Sequence, residues 1–365
     1  MIEVKAPGKL YIAGEYAVLE YGHPAIIVAL DKYITARIRK TNEIGTIYSS
    51  YNNNNPTYWT RFQGQATLTK RNSALRFVIT SINVAEMYVL ASGKSLTFFE
   101  LNLTSSLDNE DGKKYGFGSS GAVTVATIKA VLKLYDIPAT HDLIYKLSVF
   151  THLKLQEHGS FGDIAASTFG GWIAYSTFDR KWVLNKIEEV PFTELMHTQW
   201  PSLRIEPLPV PSLQLLIGWT GNPASTTNLI EKMQSDLHNH QVSKLKYDEF
   251  LDYAKICVEE MIQAFYQNNT NLICQNLNKY RNLLHKFANM TNLQIETSAL
   301  KELTRLAQTL NIAAKSSGAG GGDCGIALVK DKKNVKRLSQ LWEKNGITPL
   351  TDISIYYEEQ GVNYE

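Results

Sequence analysis

Cysteine is scarce. The chain of 365 residues has three, Cys257, Cys274 and Cys324, far apart and without a CxxC pair. That argues against a disulfide framework and leaves reduced, structural thiols. An excess of charge is missing too: 37 Lys and Arg face 35 Asp and Glu, for a formal net charge of +2. A nucleic-acid binder carries a basic stripe, and none is present. Charged ligands must therefore be met by local groups and not by a global field. Long apolar runs are also lacking. The densest, Pro24 to Leu30, is far shorter than the ~20 residues of a membrane helix. Met1 to Pro7 lacks the basic and apolar regions of a signal peptide. The eight histidines (His23, His141, His152, His158, His197, His238, His240 and His285) show no metal-ligand spacing. The expectation is a cytoplasmic protein with neither a nucleic-acid nor a membrane partner.

What is present is ordinary globular composition, with 44% hydrophobic and 20% charged residues. A chain of this length outgrows a single core, so two domains are expected, 1–184 and 185–365. Tyr33 to Ile38 alternates and is β-branched, which predicts a strand, as does Phe98 to Leu103. Phe77 to Tyr88 has helical spacing, and Gly121 to Tyr135 reads as a helix buried on most faces. In the second half, Leu213 to Trp219 and Ile326 to Val329 read as buried strands. Tyr247 to Tyr266, Thr270 to Met290, Leu300 to Leu310 and Asn334 to Trp342 read as helices. Strands and helices mix without strict βαβ alternation, so the class is α+β.

Two glycine-rich stretches carry chemistry. The segment Lys114-Tyr115-Gly116-Phe117-Gly118-Ser119-Ser120-Gly121 leads into the apolar helix. A helix N-terminus offers free N–H groups and the positive end of the dipole, and glycines let an anion come close, so the segment forms a phosphate cradle. The hydroxyl of Ser119 or Ser120 can ligate Mg²⁺. The same letters satisfy G-x-G-x-x-G, but a dinucleotide fold needs an apolar strand just before it, and the charged loop Asp108 to Lys114 stands there. No Gly-Lys-Ser/Thr follows, and neither H-R-D nor D-F-G occurs, which removes the Walker and protein-kinase readings.

The second stretch, Lys315 to Gly325 (KSSGAGGGDCG), runs into the strand from Ile326. Consecutive small residues such as Gly318, Ala319 and Gly320 build nests of N–H groups that hold anions. Two such loops suggest two phosphate-bearing ligands, or one ligand clamped from both sides. A third anion site is expected where Asn222 caps a helix with Pro223 at its first position, supported by Ser225 and Thr226.

Pro7 to Tyr16 (PGKLYIAGEY) resembles the first motif of the GHMP kinases. Gly116 to Gly121 is similar to their second motif and Lys315 to Gly325 to their third, in the family's order and over nearly the whole chain. Within the family the resemblance runs to bacterial phosphomevalonate kinases, on Gly14-Glu15-Tyr16, the extended third loop, and Gly218 to Ser225. The resemblance implies an N-terminal domain like ribosomal protein S5 domain 2, a ferredoxin-like C-terminal domain, and an active site between them. It implies ATP and Mg²⁺ as cofactors, with ATP held by Lys114, Tyr115, Gly116, Gly118, Ser119, Ser120 and Gly121, and the metal by Ser120. Lys9 and Asp163 are the implied catalytic pair. Glu15, Tyr16, Ser160, Gly162, Ser225, Thr226, Gly318, Ala319 and Gly320 are implied at the acceptor. The implied reaction is phosphorylation of phosphomevalonate by a monomer or homodimer, with mevalonate kinase as the alternative. Two departures stand out. Mevalonate kinases carry a metal-binding glutamate on the helix before the aspartate, and Thr151 to Gln156 has no acid. Phe117 stands where leucine is common.

Overall fold

The computed structural model describes residues 1–50, 55–109, 112–221, 226–238 and 243–357. The N-terminal segment Ile2–Ala13 (β1) pairs antiparallel with the long apolar strand Pro24–Thr41 (β2). Strands Gly45–Ser49 (β3), Thr57–Phe62 (β4), Gln65–Leu68 (β5), Phe98–Ser105 (β6), Trp172–Ser176 (β7) and Arg204–Leu208 (β8) complete the sheet in the order β5-β4-β3-β6-β2-β7-β8. With β1 along one edge of β2, the other edge is shared: β6 pairs with Ile34 to Thr41, and β7 with Pro24 to Val28. The gap between them is closed from the far end of the chain. Leu30 bridges Ile355, Asp31 N–H donates to the Ser354 carbonyl at 3.0 Å, and Tyr356 N–H donates to the Ala29 carbonyl at 3.0 Å.

Helices Arg76–Ala91 (α1), Ser119–Leu134 (α2), His141–Lys154 (α3) and Gly162–Phe169 (α4) pack on this sheet, α2 and α4 directly against β1 and β2. The stretch Ser73–Ala91 is, against the expectation from sequence, long and apolar enough by composition to cross a membrane. Half of it is buried, where α1 packs against α2 and α3, as core helices do. Helices Arg180–Glu189 (α5) and Phe192–His197 (α6) lead on to β8, so the first sheet reaches past residue 184.

The second sheet, Gln214–Trp219 (β9), Ala313–Ser316 (β10), Cys324–Val329 (β11) and Thr348–Pro349 (β12), runs antiparallel in the order β10-β11-β9-β12. Between β9 and β10 the chain forms Thr226–His238 (α7), Lys244–Tyr266 (α8), Thr270–Thr291 (α9) and Ser298–Gln308 (α10); Lys332–Lys344 (α11) follows β11. Helix α8 also packs on β2, and Phe265 meets Trp172 at 5.3 Å between ring centroids. One apolar core thus runs between the halves, while a smaller core around Leu303, Ala327 and Trp342 lies under α10 and α11. The mixture of elements is the α+β two-domain arrangement expected from sequence. Cys257 and Cys324 are buried and all three cysteines are free thiols.

Candidate active site

Lys9 lies inside β1, one residue after a bulge at Pro7/Gly8, and not in a turn as its Gly-Lys sequence suggests. The bulge brings β1 against the glycine loop: Lys9 N–H donates to the Phe117 carbonyl at 2.9 Å, and a Cβ on Gly8 would sit 2.9 Å from that of Phe117. Its side chain turns into a cleft of about 290 Å³, where the ammonium donates to the Gly116 carbonyl at 3.4 Å. Burial pulls the Lys9 pKa below the usual lysine value, against the opposing pull of Asp163 and then of Asp323. Losing water makes the charged form costly, and the nearby carboxylates restore part of that loss.

Two helix N-termini point at this lysine. Gly118, in the left-handed region with φ 78°, caps α2, and Asp163 stands in the first turn of α4 behind Phe161, which has φ 59°. Gly118 is the hinge of the site, because a Cβ there would lie 3.0 Å from Lys9 Cε and 3.2 Å from Asp163 Cβ. Gly121 makes room from the other side, since its Cβ would meet Asp163 Oδ2 at 2.7 Å. Lys9 makes no ion pair within 4 Å among the described residues, so the space beside Gly118 is bounded by an ammonium, a carboxylate and helix N–H groups. That combination suits a transferring phosphoryl group.

Of the ATP-cradle residues, Lys114, Gly116, Gly118, Ser119 and Ser120 line the cleft. Tyr115 lies behind it, stacked on Phe117 and edge-on to Trp219 of β9, both at 5.2 Å. Of the acceptor residues, Glu15, Tyr16, Ser160, Gly318 and Ala319 line the cleft. Gly162 is set back under Tyr11, whose hydroxyl a Cβ would approach to 2.4 Å, and Gly320 is packed on Ile295, whose carbonyl oxygen a Cβ would approach to 2.3 Å. Asn222, Pro223 and Ser225 lie outside the described residues, and of Thr226 only its place as the first residue of α7 is described.

The third loop departs from the expected open nest. Gly318 N–H donates to Glu15 Oε1 at 3.3 Å and Gly321 N–H to the Ile295 carbonyl at 2.8 Å. Two of its amides are therefore taken by the chain itself, because the loop is pressed between the first motif and the segment around Ile295 that follows α9. Tyr16, with φ 65°, donates its hydroxyl to the Ala319 carbonyl at 2.5 Å, and Ser317 donates to the Tyr11 carbonyl at 2.8 Å.

Sequence reasoning missed several cleft residues. Asp323, also left-handed at φ 54°, is anchored through its carbonyl by the N–H and hydroxyl of Thr220, both at 2.9 Å. A lone acid at the end of a glycine run was the available signal. The stretch Thr151 to Gln156 at the end of α3 carries no acid, yet Glu157, just beyond it, lines the cleft and pairs with Arg76 at 2.7 Å. His152 is buried, and loss of water lowers its pKa against the pull of Asp163; it contacts Thr124 at 3.1 Å. His158 lines the cleft as well. Beneath the site Tyr11 shares a 2.8 Å hydrogen bond with Ser160, and Tyr175 donates to the Ser160 carbonyl.

The chain is similar over nearly its whole length to known proteins. Residues 80–171 match the GHMP kinases N terminal domain and 261–348 the GHMP kinases C terminal domain. The chain is 35% identical to a Streptomyces phosphomevalonate kinase over 94% of its own length and 95% of that protein. It superposes on the Lin0012 protein of Listeria innocua with a TM-score of 0.91 at 36% identity, covering 98% of each chain. On Streptococcus pneumoniae phosphomevalonate kinase, solved with phosphomevalonate and AMPPNP, the TM-score is 0.84 at 30% identity, covering 98% of this chain and all of that one. The chain belongs to the GHMP kinase family. It is a phosphotransferase that uses ATP and a small-molecule acceptor.

Proposed function

We propose that this enzyme transfers the terminal phosphoryl group of ATP to phosphomevalonate, giving diphosphomevalonate and ADP in isoprenoid biosynthesis. The observation that carries the chemistry is the meeting of Lys9 and Asp163 across Gly118 at the start of α2. In the transfer, the bond from the γ-phosphorus to its bridging oxygen breaks, and an oxygen of the acceptor phosphate bonds to that phosphorus. A phosphomonoester has a second pKa of ~6, so near neutral pH the attacking oxygen is already largely ionised. The main obstacle is the approach of two anions. Lys9 and the N–H groups of α2 neutralise the moving charge, and Asp163 orients Lys9 and takes any residual proton.

We assign ATP to Lys114, Tyr115, Gly116, Gly118, Ser119, Ser120 and Gly121. The acceptor falls to Glu15, Tyr16, Ser160, Gly162, Ser225, Thr226, Gly318, Ala319 and Gly320. Among the described residues no group of three or more His, Cys, Asp or Glu could hold a metal by itself. This fits Mg²⁺, which keeps several waters and binds through one or two protein oxygens plus phosphates. Ser120, at the cleft end of α2, is the residue we place on it. Bound Mg²⁺ would shield the phosphate charge. We further propose a cytoplasmic monomer or homodimer with no nucleic-acid or membrane partner, in keeping with the near-neutral charge, and two domains, with the boundary expected at 184 moved past β8, the last strand of the first sheet.

Coupled ADP release with phosphomevalonate and mevalonate side by side tests the acceptor. A strong preference for phosphomevalonate is expected, because mevalonate lacks the phosphate and leaves its donors unpaired, at about 1–3 kcal/mol for each buried group. Equal rates with both would overturn the acceptor and leave the kinase standing.

A further inference from the structure

Lys315 sits on β10 with no exposed surface. Its ammonium pairs with Glu15, whose side chain is 3% exposed, and donates to the Ser316 carbonyl at 2.5 Å. Tyr280 closes the cluster: the ammonium lies 6.0 Å from its ring centroid, and its hydroxyl donates to the Glu15 carbonyl at 2.7 Å. Burying such a pair costs much of the attraction it gains, and apolar residues of like volume hold a fold as well or better. A pair kept in this place therefore calls for a role other than stability.

Its position supplies one. Glu15 Oε1 accepts the Gly318 N–H, and Tyr16, the next residue, binds the Ala319 carbonyl. Gly318 and Ala319 are the part of the third loop that faces the cleft, and Glu15 faces it too. Glu15 Oε2 is buried without a protein partner. An uncompensated carboxylate there would repel an acceptor that carries both a carboxylate and a phosphate. Lys315 cancels that charge and holds Oε1, the oxygen that also accepts the Gly318 N–H.

We propose that Lys315 is a positioning residue for the acceptor: acting through Glu15, it sets where Gly318 and Ala319 stand and keeps that wall of the cleft electrically neutral. This rests on the kinase reading above. The ATP cradle assigned above opens α2, whereas the contacts of Lys315 are with Glu15, Ser316 and Tyr280, so the effect is expected to be selective for the acceptor.

The test uses the full chain, with Lys315→Met and the double variant Glu15→Gln/Lys315→Met. The KM for each substrate is measured by ADP release with the other saturating, next to a thermal melt. Lys315→Met leaves Glu15 buried and alone and lowers the melting temperature. The double variant carries no buried charge and melts near the wild type. In both, the KM for phosphomevalonate is expected to rise about tenfold or more while the KM for ATP changes by about twofold or less. If Lys315→Met fails to fold, the double variant decides. A folded double variant with a wild-type KM for the acceptor, or with both KM values rising in step, overturns the inference. Should the wild type reject phosphomevalonate but turn over another acceptor, the proposed function fails, and the same KM comparison with that acceptor still judges Lys315.

Discussion

The two glycine loops differ more in use than in composition. The loop before α2 spends its glycines on openness. Gly118 and Gly121 clear space for Lys9 and Asp163, and the helix N-terminus faces the cleft. The loop before β11 spends them on close packing. Gly320 lies on the Ile295 backbone, and amides of Gly318 and Gly321 are bound internally. Glycine density reports that backbones approach closely. Whether the thing approached is a ligand or the chain itself depends on what stands opposite.

The sharpest way to break the contrast is to remove charge from the open loop. Lys9→Ala is expected to lower kcat by about 10²–10³, the usual cost of losing a transition-state donor. Asp163→Asn should cost less, since the acceptor is already ionised. Steady-state rates at saturating substrates decide, and a greater loss in Asp163→Asn would put proton removal ahead of charge neutralisation. A matched pair of glycine changes comes next. Gly121 is helical, so Ala strains no backbone there, but its Cβ would press on Asp163 at 2.7 Å. Gly121→Ala should reduce kcat by about 10–100-fold with little change in melting. Gly320→Ala, at φ 76° and against a carbonyl, should instead cost about 1–3 kcal/mol of stability. Melts and rates on both variants separate the two loops; equal behaviour would erase the distinction. The smallest effect concerns pH. The working form of Lys9 is protonated, and burial lowers its pKa, so kcat/KM should fall on the alkaline side below the ordinary lysine range. Bound phosphates favour the ammonium, so the limb of kcat should lie at higher pH than that of kcat/KM. Coincident limbs would assign the titration to another group.

Periodicity made the long elements legible: β6, α1, α2, α8, α9 and β11 lie where their apolar spacing puts them, within a few residues. The three motifs and most of their cleft residues were legible as well. What was not legible depended on contacts between distant segments. No local signal says that Glu15 will be met by Lys315, or that a strand with a bulge rather than a turn presents Lys9. Asp323 and Glu157 were visible as acids, yet only folding sets them on the cleft. The weakly patterned helices α5 and α6 passed unnoticed because one face of each is short and little of it is buried.

The closure of the first sheet by residues 354–356 has a kinetic side. Strand β2 is made long before its last partner, since the gap beside Leu30 is filled by Ile355, about 300 residues further along the chain. Contacts of such separation carry the largest loop-closure entropy and form late. During synthesis the backbone at Ala29 and Asp31 therefore waits with unpaired groups, an open edge of the kind that invites association with other chains. The sheet that holds Lys9 is sealed only after residues 354–356 have been made.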